Sequence, residues 1–120
     1  MTKRIKVTVD GAIYHAVLQH NPLADKIAAM CPFTLDCMRS MEHEYYAALP
    51  GKADAKGCQS TIIGHRNGLY YFEGWNALSL VFQDCNTAPY KIHHIGDFED
   101  DISNVLEKSE SKIQVRVEME

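Results

Sequence analysis

Alternation of apolar and polar positions with a period of two dominates this chain. Ile5-Lys6-Val7-Thr8-Val9 puts three branched apolar residues on one face, the pattern of a half-buried strand. Asp10-Gly11 follows, a dipeptide suited to a tight hairpin because both positions tolerate positive φ. The returning strand, Ile13 to Leu18, is apolar on both faces, which predicts that something packs over its outer side. The next segment is expected to supply that cover. Asn21-Pro22 reads as a helix start, a side-chain cap followed by a proline where no amide hydrogen is needed. Leu23, Ile27 and Met30 recur at helical spacing, and Pro32 stops the helix.

From Phe33 the period returns to two, with Leu35 and Cys37 on the same face. Glu44 to Leu49 reads as a strand ending at Pro50, and Gly51 to Gln59 as a long polar loop. Thr61 to Gly64 and Leu69 to Phe72 flank Asn67-Gly68, a strong turn signal that predicts a hairpin with His65-Arg66 at its tip. Trp75 to Phe82 is a predicted strand with Leu78, Leu80 and Phe82 on one face. Asp84 to Pro89 is a turn-rich link and Tyr90 to Ile95 a short strand. Phe98, Ile102, Val105 and Leu106 give helical spacing over Asp97 to Glu107. Ile113, Val115, Val117 and Met119 close the chain as an alternating strand.

About eight short strands and two helices, joined mostly by tight turns, predict a mainly β fold. A closed antiparallel barrel is the natural arrangement, because closure removes the exposed edges that so many strands create. Two helices of this size suit its open ends. No internal repeat or shift of composition divides the chain, so residues 1–120 are expected to form a single domain.

Composition narrows the function classes. With 16 acidic and 12 basic side chains the formal charge is −4, which argues against nucleic acid as a partner, since that needs a basic field. The acidity is local: residues 97–120 carry 8 acidic and 3 basic side chains, whereas residues 1–96 are nearly balanced. The Asp97 to Asp101 cluster is expected to complement the N-terminus of the last helix. No stretch approaches the ~20 apolar residues of a membrane span, and the N-terminal segment lacks the apolar run of a signal peptide. No membrane partner is expected, and the expected location is cytoplasmic. Cys31, Cys37, Cys58 and Cys85 are then expected to be free thiols. None forms a Cys-x-x-Cys pair, so zinc-ribbon and thioredoxin-like chemistry lack their usual signature.

Three stretches carry a resemblance. They are Glu44-Tyr45-Tyr46-Ala47-Ala48-Leu49-Pro50, Gly68-Leu69-Tyr70-Tyr71-Phe72-Glu73-Gly74-Trp75-Asn76-Ala77-Leu78, and Ala88-Pro89-Tyr90-Lys91-Ile92-His93-His94-Ile95-Gly96-Asp97-Phe98. In order and spacing they resemble the small bacterial and archaeal cyclophilin-like domains, over nearly the whole chain from Ile5 to Glu118. The resemblance implies a closed eight-stranded cyclophilin-like barrel with two helices. It does not carry prolyl isomerase activity with it. The Phe-His-Arg-Val and Gln-Gly-Gly-Asp motifs of true cyclophilins are absent, and the one His-Arg pair, His65-Arg66, falls at a predicted turn.

Candidate chemistry is therefore read residue by residue. Glu44 and Tyr46 share strand parity and point the same way; a carboxylate facing along a barrel needs a partner or a task. Tyr70, Tyr71, Phe72 and Trp75 concentrate the aromatic residues; most serve the core, with Tyr71 and Trp75 as candidates to line an apolar groove. Arg66 is a candidate anion contact. His93 and His94 alternate on a strand, so their rings cannot share a metal, and His94 is retained as a ligand-binding candidate. No catalytic residue, metal or cofactor is assigned. The reading is a non-catalytic module binding a small molecule or peptide in a groove between barrel and loops. The alternatives are a prolyl isomerase with a degenerate site and an enzyme using Glu44, a tyrosine and a histidine as acid–base groups.

Overall fold

A computed structural model of the chain describes residues 3–120. The elements in order are β1 (Arg4–Val9), β2 (Ala12–Leu18), α1 (Pro22–Ala29), β3 (Phe33–Ser40), β4 (Glu44–Ala48), β5 (Ile63–Gly64) and β6 (Gly68–Phe72). A short 3-10 turn (Glu73–Trp75) leads to β7 (Ala77–Val81), β8 (Cys85–Asn86), β9 (His93–Phe98), α2 (Ser103–Glu107) and β10 (Lys112–Met119). Eight of the strands close into an antiparallel barrel in the order β1-β10-β3-β4-β7-β6-β9-β2. The expected mainly β barrel with two helices is the fold observed.

Local chemistry explains the tight connections. Asp10 and Gly11 both take positive φ (47° and 90°) between β1 and β2, the requirement of a two-residue hairpin turn. Asn21 Oδ1 accepts from the Ala24 amide at 2.8 Å and Pro22 opens α1. The β1 positions Ile5, Val7 and Val9 face inward with Phe33, Leu35, Cys37, Ile113, Val115 and Val117, all buried.

The two helices lie at opposite ends of the barrel, because α1 joins the end of β2 to the start of β3 whereas α2 joins the end of β9 to the start of β10. Leu23 and Ile27 of α1 and Leu106 of α2, with Ile102 just before it, are buried in the main core. Here α1 departs from expectation. It seals an end rather than covering the outer face of β2, where Ile13 remains 57% exposed.

Four further elements differ from the sequence reading. Thr61 to Gly64 does not pair with Leu69 to Phe72. Ile63 and Gly64 instead pair with Asn86 and Cys85 in a separate two-stranded ribbon, β5–β8. The strand expected from Trp75 begins at Ala77, because Asn76 adopts a left-handed conformation (φ 49°) after the 3-10 turn. The strand expected at Tyr90 to Ile95 runs from His93 to Phe98, leaving Tyr90 in a turn. The last helix shortens to five residues because Asp97 and Phe98 are held in the sheet opposite Gly68 and Ala16. The carboxylates of 97–101 therefore do not crown a helix. Glu99 binds Arg4, Asp100 accepts from the His15 amide at 3.3 Å, and Asp97 meets His94 at 2.9 Å. No helix among the described residues is long and apolar enough to cross a membrane, and all four cysteines are free.

Candidate functional site

Inward side chains of β4, β6 and β7 fill the barrel, so the alternate residues of the same strands form an outer face. One cross-strand row on that face runs Tyr46, Ser79, Tyr70, His94, from β4 through β7 and β6 to β9. The β5–β8 ribbon and the Ile92 segment cover its centre. Tyr70, Val81 and Ile92 form a second small core there, with Phe72 and Cys85 packed against it. Gly68 is obligatory beneath this lid, since a Cβ would approach the Tyr70 ring to 2.6 Å and the His65 carbonyl oxygen to 2.9 Å. The Tyr70 hydroxyl accepts from the His65 amide at 2.9 Å, tying ribbon to sheet.

Beside this lid the outer face stays open as a cleft of about 450 Å³. Its floor is polar. The Ser79 hydroxyl donates to Glu44 Oε1 at 2.7 Å, and His43 Nε2 lies 2.7 Å from Glu44 Oε2. An ionised carboxylate only accepts, so His43 carries its hydrogen on Nε2. Ser79 is buried, and the Glu44 and His43 side chains are about one-fifth exposed. The walls are aromatic. Trp75 sits 5.4 Å from Tyr46 and edge-on to Phe72 at 5.3 Å, and Phe72 is edge-on to Tyr90 at 5.9 Å. Trp75 and Tyr90 are each 63% exposed, a large apolar area left facing water.

Three of the six sequence candidates, Glu44, Tyr46 and Trp75, meet in this cleft. The other three lie elsewhere. Tyr71 is fully buried inside the barrel, where its hydroxyl meets Asn76 Oδ1 at 2.7 Å and the Ala53 carbonyl at 3.1 Å. It anchors the 51–59 loop, with Asn76 accepting from the Ala53 amide and donating to the Gly51 carbonyl. His94 belongs to the same row as Tyr46 but stands beyond the covered Tyr70, with its ring 5.1 Å from that ring and Nε2 on Asp97. Arg66 lies at the turn after β5. Its amide donates to Asp84 at 2.9 Å and its guanidinium reaches Asp101 at 3.4 Å. His93 points the other way from His94 and meets the Gln59 carbonyl at 3.0 Å, and no cluster of metal-ligating side chains occurs among the described residues.

Sequence reading missed His43, Phe72 and Tyr90. His43 falls in the turn between β3 and β4, after Met41 at φ 55°. Strand parity, which would send neighbouring residues to opposite faces, does not apply there. Tyr90 reaches the cleft because the chain turns at it rather than continuing as a strand; Thr87 Oγ1 donates to its carbonyl at 2.7 Å.

The chemistry this arrangement permits is limited. The Ser79 hydroxyl donates to the Glu44 carboxylate, and His43 meets the other carboxylate oxygen rather than the serine. Burial pushes the Cys85 thiol up from its ordinary value and the Glu44 charge adds to the shift, which removes its thiolate character. A paired carboxylate and imidazole can accept a hydrogen bond or move a proton.

A family model described as the cyclophilin-like family matches residues 7–118. The chain belongs to the cyclophilin-like family. Among solved structures it is similar to a hypothetical protein from Archaeoglobus fulgidus determined in solution, with 15% identity and a TM-score of 0.68 over 99% of this chain and 95% of that one. At that identity the likeness is one of fold. No curated protein matches the chain. Membership of the cyclophilin-like family thus settles architecture and does not by itself assign a function.

Proposed function

We propose that this cyclophilin-like protein is a binding module whose ligand, a small molecule or short peptide, occupies the outer-face cleft. The observation that carries the reading is the meeting of a hydrogen-bonded carboxylate with exposed rings in a hollow of about 450 Å³, within the ~300–1,000 Å³ typical of ligand sites. Prolyl isomerase activity gains no support, because no arginine lines the cleft among the described residues and Arg66 is held by acidic groups outside it. A thermal-shift screen against metabolites and short peptides tests the reading. A ligand at 100 times its Kd adds about 2.7 kcal/mol to stability, and that shift should disappear in Tyr46→Ala. A shift that survives both Tyr46→Ala and Glu44→Gln places the ligand elsewhere and sinks the proposal.

One observation favours a second reading, acid–base catalysis. Glu44, His43 and Tyr46 share the cleft, with carboxylate and imidazole 2.7 Å apart, which supports that reading. A ligand from the screen that is chemically converted, with conversion lost in His43→Gln while binding persists, decides for catalysis. Unchanged ligand after prolonged incubation decides for binding alone.

A further inference from the structure

Resting on the assignment of the cleft as a binding site, we infer that its ligand presents a protonated amine bearing N–H hydrogens, attached to an apolar body. Charge comes first. Among the described residues lining the cleft, Glu44 and His43 are the ionisable groups besides tyrosine and cysteine, and no lysine or arginine faces it. An anionic ligand would meet a carboxylate whose one basic partner in the lining, His43, is already bound to it.

Acceptor capacity comes second. Each carboxylate oxygen accepts two hydrogen bonds, and Glu44 spends one on each, from Ser79 at Oε1 and from His43 at Oε2. One acceptor position per oxygen remains. A charge that is four-fifths withdrawn from water and incompletely bonded is costly. An ammonium supplies the missing donors and a permanent positive charge, through the short charge-assisted bonds that outrank neutral ones.

The aromatic wall supplies the third argument. Tyr46 follows Glu44 by two residues on the same strand face, about 7 Å along, and the Trp75 ring lies tilted against Tyr46 at 5.4 Å. A cation bonded to Glu44 therefore sits one same-face position from the Tyr46 ring, and aromatic rings attract cations through their quadrupole. The apolar body then has Phe72, Trp75 and Tyr90 to cover. A quaternary ammonium fits less well, since it has no N–H for the carboxylate.

The test uses three probes that share a phenyl group on a two-carbon arm: phenethylamine, 2-phenylethanol and phenylacetate. Trp75 is the one tryptophan in the chain, so its fluorescence and its indole N–H signal report occupancy. Phenethylamine should bind at least about tenfold more tightly than 2-phenylethanol, the ratio expected of a charged hydrogen bond, and phenylacetate should bind weakest. Glu44→Gln should equalise amine and alcohol. A cooperative melting transition and a dispersed amide spectrum in that variant exclude misfolding as the cause. Saturable binding without amine preference, or a preference that survives Glu44→Gln, overturns the amine assignment and leaves the binding site standing. No saturable binding of any probe at millimolar concentration overturns the amine assignment; failure of the wider thermal-shift screen as well would overturn the binding site.

Discussion

The two faces of β4, β6 and β7 are built from alternate residues of the same strands and end in opposite conditions. Inward, Tyr45, Leu69, Tyr71, Leu78 and Leu80 are almost completely buried, and the residual void among the barrel's side chains is about 10 Å³. Outward, Tyr70, Ala77, Ser79 and Val81 are also buried, but Glu44, Tyr46 and Phe72 stay half-buried around a hollow of about 450 Å³. An eight-stranded barrel is just wide enough for side chains to fill or to hold one small ligand. Here side chains leave no such room inside, and the β5–β8 ribbon gives the outer face depth.

The largest expected effect separates the faces directly. Leu80→Ala should cost about 2–5 kcal/mol by urea denaturation, whereas Tyr46→Ala should cost about 1 kcal/mol or less. Equal losses would make the cleft wall part of the core. Asn76, which anchors the long loop to the barrel end, comes next. Asn76→Ala removes three hydrogen bonds and strains a left-handed position, at a cost of about 2–4 kcal/mol. Asn76→Gly should recover about 1 kcal/mol of that, the backbone share. The last effect, smallest near neutral pH, probes the interior through its proton affinity. Burial pushes the Cys37 thiol up to about 12 from 9, so the folded chain keeps a proton that the unfolded chain releases. Stability should therefore fall as pH rises from about 9 towards 12, by up to about 1.4 kcal/mol per pH unit from this thiol. Cys37→Ala should reduce that slope, and an unchanged slope would mean the thiol reaches solvent.

The sequence made the barrel legible where strands are long and one face is buried. Ile5 to Val9 and Ile113 to Met119 alternate without interruption, and the structure pairs them, Val7 opposite Val117. The ribbon was illegible because its strands are two residues each, too short to carry a period. Asp97 and Phe98 have helical spacing to Ile102, yet ladder hydrogen bonding in the sheet overrides it. For the site, Glu44 and Tyr46 were legible by parity and Trp75 by aromatic clustering. His43, Phe72 and Tyr90 were not assigned to it, because their places depend on how turns and the ribbon fold across the barrel.

The seam of the barrel has a practical consequence. The first and last barrel strands lie side by side, Ile5 opposite Met119, and in the ring order this seam stands across from β7 and β6. A linker, label or surface attachment placed at either chain end therefore leaves from the wall opposite the cleft. Tethered by an end, the molecule keeps the hollow turned towards solution.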